Sequence, residues 1–217
     1  MTVSVLPLSP TAFAQASWDD VAPYFDELAA RPLDRSTMEA WLAEWSRLEE
    51  LVGEAAAQAM IAYTIDTSDR DKEANHLRFS TDVLPKMEER SVDLARRLVD
   101  SGYSTPALTT TLARFRTQIE IFRDQNVPLF AELEELSARY QRITGSIMVE
   151  WDGVPRPLPQ LQPFLKSPDR KVRERAFRAS SRPYIERRAD LAQLFDRMFQ
   201  LRTQAAKNAG FANFRDY

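Results

Sequence analysis

The sequence feature that most constrains this chain is a long helical repeat of apolar residues that begins just after Ser36. A repeat of three to four residues places its side chains along one face of an α-helix. Ser36 and Glu39 match an S-x-x-E capping box at its start. The pattern therefore predicts an amphipathic helix of several turns that must pack against other helices. The apolar positions are Met38, Trp41, Leu42, Trp45, Leu48, Val52, Ala55, Ala56, Ala59, Met60 and Tyr63, and the polar face holds Glu44, Arg47, Glu50 and Glu54.

Composition supports a helical globular protein. The chain has 217 residues, 44% of them hydrophobic and 28% charged, with only 5 glycines. The net charge of −3 argues against a nucleic-acid binder by charge alone. The absence of cysteine excludes disulfides and thiolate metal sites. No apolar run is long enough to span a membrane, and the N-terminus does not match a signal peptide. We expect a cytoplasmic protein.

The segment before the long helix predicts an extended stretch over residues 1–16 and then a short helix. Ser17 and Asp20 form a weak variant of a capping box, and Pro23 marks a first turn or a kink. The helix buries one face, formed by Val21, Phe25 and Leu28.

The acidic turn DTSDRD at 66–71 could be a calcium loop or a helix cap. An EF-hand loop needs acidic residues at alternate positions and a glycine at the sixth. Asp66, Asp69 and Asp71 lack that spacing, and no glycine is present. We therefore predict capping of the next helix.

Two further helical patterns follow. The first carries Leu77, Leu84 and Leu94, with a kink predicted at Pro85 and an end at Gly102. The second begins at Thr105 and Pro106, and is interrupted at 126–128, because proline disfavours helix in the residue before it.

The pattern changes at GSIMVEWDGVPRPLP. An Asp-Gly pair between β-branched and aromatic residues predicts a hairpin at 145–158, turning at Asp152 and Gly153. Its prolines confine the second strand to an edge. The hairpin is expected either to pad a helix surface or to join strands supplied elsewhere. The residues predicted to share one face are Ile147, Val149 and Trp151.

Residues 158–217 complete the chain with a last helical region. Ser167 is predicted to cap it, with Pro168 in the first turn. Pro183 predicts a kink or a short break, and Gly210 a left-handed end. Asn213 could cap a further helix.

Motifs that carry chemistry are missing from the sequence. His76 is the single histidine, and its context NHLRFS predicts a surface or half-buried residue on a helix. There is no G-x-S-x-G, G-x-G-x-x-G or P-loop motif. Adjacent acidic pairs such as Glu88-Glu89 point in different directions on a helix and do not share a proton. We assign no catalytic or metal-binding residue, and substrate-binding residues are unknown.

The segment from Lys166 to Arg188 is strongly basic, with nine basic and three acidic residues. A basic helix can track phosphates, or it can pair with acidic groups of the same chain. Because the whole chain is net negative, we favour intramolecular pairing and solvation.

Several motifs resemble one family in the same order. The motifs are VEWDGVPRPLPQL, SPDRKVRERAF and LFDRMFQLRTQAAKNAGFANFRDY, with SWDDVAPYFDELAARPL and AYTIDTSD earlier. Together they cover about residues 17–217. The chain resembles the N-terminal half of oligoendopeptidase F, in the thimet-oligopeptidase-like group of zinc metallopeptidases.

The resemblance implies an almost wholly helical fold in which two halves close around a channel for short peptides. In the family, zinc is held by the two histidines of H-E-x-x-H and a later glutamate. This sequence contains no such motif, so the chain alone is expected to be inactive. Zinc, oligopeptide substrates and a downstream catalytic half are expected of the complete enzyme. The expected parts are 1–16, an extended segment; 17–142, a helical region; and 143–217, a hairpin and helices that lead into the catalytic domain.

Two alternatives stay open, namely a stand-alone helical module that binds nucleic acid and a non-catalytic scaffold that binds peptides. A further expectation is an exposed apolar patch through which the chain associates. Its expected members are Phe195, Met198, Phe199, Leu201, Phe211 and Phe214.

Overall fold

The computed structural model describes residues 6–217, in which α-helices dominate and one hairpin is present. The all-α fold with a small hairpin is thus confirmed. No helix among these residues has the length and apolar character needed to cross a membrane. The helices are α1 (Trp18–Ala30), α2 (Met38–Ile65), α3 (Arg70–Arg78), α4 (Leu84–Asp100), α5 (Thr109–Ile121), α6 (Val127–Gly145), α7 (Gln162–Leu165), α8 (Arg170–Glu186) and α9 (Arg188–Asn208), and the strands are β1 (Met148–Trp151) and β2 (Val154–Pro157).

The apolar face of α2 forms the centre of the main core. The Trp41 indole N–H donates to the Leu28 carbonyl of α1 at 2.9 Å, and the Trp45 ring stacks on Phe115 of α5 at 5.1 Å. Leu51 is also buried and was not part of the predicted stripe, whereas Met60 is 46% exposed. The predicted stripe is otherwise mostly correct, because ten side chains of this helix are buried.

The capping box predicted at Ser17 and Asp20 is confirmed, whereas the box predicted at Ser36 and Glu39 is wrong. One carboxylate oxygen of Asp20 accepts from both the N–H and the hydroxyl of Ser17, each at 2.8 Å. At α2, however, Asp34 replaces the predicted Ser36 box. Its Oδ1 accepts from the Ser36 N–H at 2.7 Å and from the Thr37 N–H at 3.2 Å. An ionised carboxylate is a stronger acceptor than a hydroxyl, so the earlier residue shapes the start of this helix.

The N-terminal segment is less extended than predicted. Residues 1–5 lie outside the described part of the chain, but Pro10–Phe13 form one turn of 3₁₀-helix. Phe13 is buried and meets the Tyr24 ring edge-on at 5.8 Å. The extended interpretation is therefore wrong for this turn, because Phe13 gains burial against the core and Pro10 fits a first-turn position.

The kink predicted at Pro85 takes the form of a π-helical turn at Phe79–Val83, directly before α4. The Leu84 N–H bonds to the Phe79 carbonyl, which is a five-residue step. Pro85 has no N–H, and its ring would clash with a carbonyl in a straight α-helix. The wider turn removes this conflict and buries Phe79 and Val83 in the core.

The hairpin forms where it was predicted. Asp152 and Gly153 have φ values of 54° and 77°, which is the signature of a type I′ turn. The side chains predicted to share a face are buried: Ile147, Val149 and Trp151. They pack with Leu161 and Ala176 in a second apolar cluster. Of the two alternatives, the hairpin pads a helix, because within residues 6–217 its sheet has only these two strands.

The cap and the break in the last region both fall later than predicted. Asp169, not Ser167, caps α8, since its Oδ1 accepts from the Lys171 N–H at 2.8 Å. Pro183 lies inside α8, and the break to α9 comes at Arg187, whose N–H reaches the Pro183 carbonyl at 3.2 Å. Ser167 instead stabilises the loop before α8, because its hydroxyl oxygen accepts a hydrogen bond from the Asp169 N–H.

A buried asparagine joins the last helix to the rest of the fold. The Asn126 side chain donates to the Ala205 carbonyl at 3.0 Å and accepts from the Asn208 amide at 2.8 Å. Arg197 of α9 adds two bonds to Glu132 of α6, at 2.6 and 2.7 Å. These contacts hold α9 against α6.

Two glycine substitutions should change stability in opposite directions. Gly53 lies inside α2, and a Cβ there would meet nothing within 4 Å. Gly53→Ala should therefore stabilise the fold by about 0.5–1 kcal/mol, the usual helix-interior difference. Gly153→Ala should destabilise it by about 1–2 kcal/mol, because a Cβ disfavours the left-handed conformation. Urea denaturation measures both, and shifts of the same sign would contradict this account.

Candidate functional site

The described residues enclose a cavity of about 580 Å³. This volume lies within the range of about 300–1,000 Å³ usual for small-molecule sites. Its walls come from α2, α3, the π-turn, α4, α5, α6 and Tyr217, and they are mostly apolar. The lining residues are Gly53, Ala56, Ala57, Met60, His76, Phe79, Ser80, Leu84, Pro85, Glu88, Gln118, Ile121, Phe122, Arg123, Asn126, Val127, Phe130, Glu134 and Tyr217.

His76 lies in the cavity wall. It is only 7% exposed, and its ring stacks on Tyr63 of α2 at 5.2 Å and 13°. The prediction of a surface or half-buried histidine is therefore wrong, because α3 packs this side of its surface against α2. Burial lowers the pKa of His76 below its ordinary value, while the nearby Glu134 charge acts in the opposite direction. The ring is consequently neutral at pH 7.

Two carboxylates also line the cavity. Burial raises the pKa of Glu88, although much of its side chain remains exposed. The charge of Glu134 acts on His76 from α6. Within residues 6–217, neither Glu88 nor Glu134 forms a hydrogen bond or an ion pair. Both are therefore available to a bound cation.

The other strongly polar groups of the cavity are already engaged. Arg123 donates to the carbonyls of Glu120 at 2.8 Å and Phe122 at 2.6 Å. Asn126 is held by α9, as described above. The Ser80 hydroxyl lies 3.5 Å from the Leu77 carbonyl, a long contact.

Clusters of metal-ligating side chains are not found among the described residues. In 6–217, no three His, Asp, Glu or Cys side chains converge in a way that could hold a metal ion. Asp69 caps α3, with its Oδ1 at 3.0 Å from the Asp71 N–H and 3.2 Å from the Lys72 N–H. The capping interpretation of the 66–71 turn is therefore confirmed.

The apolar side chains expected to be exposed are partly so. Phe195 and Phe199 are 65% and 61% exposed, with ring centroids 6.3 Å apart. The prediction that Leu201 is exposed is wrong, since its side chain is only 3% exposed and lies between α9 and the rest of the fold. Helix α8 exposes further apolar side chains that were not predicted to be exposed, namely Phe177, Tyr184 and Ile185.

Three arginines of the basic segment 166–188 pair with acidic groups of the same chain. Arg178 and Arg182 form ion pairs with Glu174 and Glu186 within α8, at 2.8 and 2.7 Å. Arg175 reaches the hairpin, where it contacts Asp152 at 2.8 Å and covers the Trp151 ring at 4.0 Å. Intramolecular pairing is confirmed for these three arginines.

Sequence reasoning missed the cavity because its walls come from segments far apart in the chain. One signal was present. Gly53 interrupts an otherwise alanine- and leucine-rich helix, where glycine is unfavourable. Recognising it as part of a cavity requires the position of α4 and α6, which the repeat pattern does not give.

Comparison with known proteins identifies a related domain and a fold. Residues 8–108 match the family described as the peptidase M3 N-terminal domain. A search of curated protein sequences gives no match. The resemblance to the N-terminal portion of oligoendopeptidase F, stated from the sequence motifs, is confirmed.

Three solved structures share the fold. An oligoendopeptidase F has a TM-score of 0.86 at 24% identity, over 97% of this chain and 39% of that one. An oligoendopeptidase F from Bacillus anthracis str. Ames has a TM-score of 0.86 at 19% identity, over 93% and 38%. PZ peptidase A with inhibitor 2 gives 0.79 at 24% identity, over 95% and 36%. The chain thus spans about two fifths of the length of the structures that it matches.

The titration of His76 should show the effect of its burial. An exposed histidine has a pKa of about 6.5, and we expect His76 to titrate below that value. As pH falls below about 6.5, the unfolded chain takes up the proton first, so this residue lowers stability in that window. An NMR pH titration needs no assignment, because the chain has one histidine.

Matched variants sharpen this measurement. Glu134→Gln should lower the pKa of His76 further, because the nearby negative charge is removed. Glu135→Gln, one residue along on α6, should leave it unchanged. A wild-type pKa at or above 6.5 would contradict the buried, neutral ring.

The exposed apolar side chains of α8 and α9 should cause self-association. Replacing Phe195 and Phe199 together by serine should weaken it, because it removes two large exposed rings. Ile65→Ser is the control, since Ile65 is 80% exposed at the end of α2. Sedimentation velocity over a range of concentrations measures the effect. A wild-type chain that stays monomeric throughout would show that this surface does not associate.

Proposed function

We propose that this chain is the N-terminal, channel-forming part of a zinc-dependent oligoendopeptidase that hydrolyses internal bonds of short peptides. The chain would form one wall of the substrate channel and restrict access to unfolded, short substrates. The catalytic half would lie downstream in the same protein. The observation that carries the proposal is the match of nearly the whole chain to about two fifths of an oligoendopeptidase F fold.

The proposal assigns zinc to the downstream half. A catalytic zinc site takes three protein ligands, usually histidine and carboxylate. The described residues do not fit such a site, because they contain no cluster of three ligand side chains and the sequence has one histidine. The H-E-x-x-H helix and the later glutamate would therefore be contributed from outside this chain.

The exposed side chains of α8 and α9 support a downstream partner. Phe177, Ile185 and Phe195 are each more than half exposed. Several large apolar groups on adjacent helices are more typical of a covered surface than of open solvent. The downstream half would cover them, and closure between the halves would be the working motion.

The proposal also includes the organisation of the chain and its location. Residues 17–142 would form the helical region, and 143–217 the connection to the catalytic domain. The cysteine-free sequence supports a cytoplasmic protein.

A non-catalytic scaffold that binds peptides is the second candidate. The cavity favours it, because its lining is mostly apolar and the described residues form no cluster of metal ligands. The nucleic-acid alternative receives less support, since three arginines of the basic segment are paired within the chain.

The peptidase proposal is tested on the longer product of the reading frame that encodes this chain. That product should contain about one zinc per molecule, as a three-ligand catalytic site requires. It should cleave short peptides, and a chelator should abolish cleavage until zinc is restored. Metal analysis and chromatography of the products measure both properties.

The 217-residue chain alone is the control, and it should neither retain zinc nor cleave peptides. A longer product that binds peptides without chelator-sensitive cleavage would favour the scaffold. Zinc-dependent cleavage by the isolated chain would overturn the assignment of the metal to another half.

A further inference from the structure

We propose that the cavity between α2, α4 and α6 is a binding site for an apolar group that carries a protonated amine. The proposal concerns the 217-residue chain itself and does not depend on peptidase activity. It rests on Gly53 in the cavity wall, on the unpaired carboxylates Glu88 and Glu134, and on the hydrogen bonds that already engage Arg123.

The first observation is that Gly53 has no structural reason to be glycine. It lies in the interior of the 28-residue helix α2, and no positive φ is recorded for it. A Cβ would meet no atom within 4 Å, so close packing does not require glycine either. Helix stability favours alanine at such a position. The space that a side chain would fill is part of the cavity wall, and its absence keeps the cavity wide.

The second observation is the shape and character of the cavity. Apolar side chains from five helical segments line it, and its volume of about 580 Å³ is large enough for an aromatic or branched aliphatic group. The apolar lining contributes burial of the ligand's hydrocarbon part. The main apolar contributors are Ala56, Ala57, Phe79, Leu84, Ile121 and Phe130.

The third observation is that the charged side chains still free to bind a ligand in the cavity are negative. Glu88 and Glu134 line the cavity from α4 and α6, and within residues 6–217 neither has an ion-pair partner. Arg123 is directed to backbone carbonyls at 2.6–3.5 Å. His76 is neutral at pH 7 because it is buried. A cation is therefore the complementary ligand charge, and an ammonium group supplies three donors for carboxylates.

The same chemistry occurs in a free arylalkylamine and in the N-terminal residue of a peptide. The probes are 2-phenylethylamine, its neutral analogue 2-phenylethanol, and the tripeptide amide Phe-Ala-Ala-NH₂. The unique ring signal of His76 in the cavity wall reports binding. The amine should bind with a dissociation constant of about 1 mM or tighter, as expected for a ligand of this size. The alcohol should bind at least about fivefold more weakly, because it lacks the charge.

Five variants locate the site. Glu88→Gln and Glu134→Gln should each weaken amine binding by about fivefold, with no effect on the alcohol. Glu89→Gln, next along α4, should have no effect on either ligand. Gly53→Leu should abolish binding of both, whereas Ala43→Leu on the exposed part of α2 should not. The denaturation midpoint of each variant shows that it is folded.

The outcomes distinguish the two possible sources of the amine and show whether the proposal holds. Tighter binding of the tripeptide amide assigns the cavity to peptide N-termini, and equal or weaker binding assigns it to free amines. Equal affinity for amine and alcohol, or undiminished binding by folded Gly53→Leu, would overturn the proposal. Absence of any shift of the His76 signal with the amine would also overturn it. None of these results bears on zinc or on cleavage, so failure here leaves the proposed function standing.

Discussion

The burial of one face of α2 is the constraint on which the rest of the fold depends. This helix has 28 residues, and ten of its side chains are buried. Removing a face of that length from water requires helices on more than one side. The 3₁₀-turn at Pro10–Phe13, α1, α3 and the π-turn all contact it. The Trp41 side chain also orients α2 against α1, because its indole N–H donates a hydrogen bond to the Leu28 carbonyl.

The cavity follows from the same arrangement. Large side chains of the stripe are buried from Trp41 to Val52, whereas small residues, Gly53, Ala56 and Ala57, line the cavity. The π-turn before α4 resolves the conflict at Pro85 and places Phe79 and Ser80 opposite this thinner part of α2. The space left between them is lined by α6, which α9 holds in place through Asn126. The π-turn thus helps to shape the cavity.

The sequence predicted features that depend on near neighbours. The Ser17–Asp20 box, the Asp152-Gly153 turn and the alternation at Ile147, Val149 and Trp151 all formed as expected, because residues within a few positions determine them. The prediction that Ser36 caps α2 failed because a second candidate, Asp34, lies two residues before it. The burial of His76, the inward side of Leu201 and the role of Asn126 were missed, because each depends on a helix distant in sequence. The cavity lay beyond prediction for the same reason.

The central claim of this account is that another part of a longer protein covers the exposed apolar side chains of α8 and α9. Hydroxyl-radical footprinting measures the side-chain accessibility of Phe195 and Phe199 in this chain and in the longer product of its reading frame. The account predicts reactive rings in the chain alone and protected rings in the longer product, with Met148 of the hairpin as an exposed reference. Equal reactivity of both rings in the two proteins would contradict it.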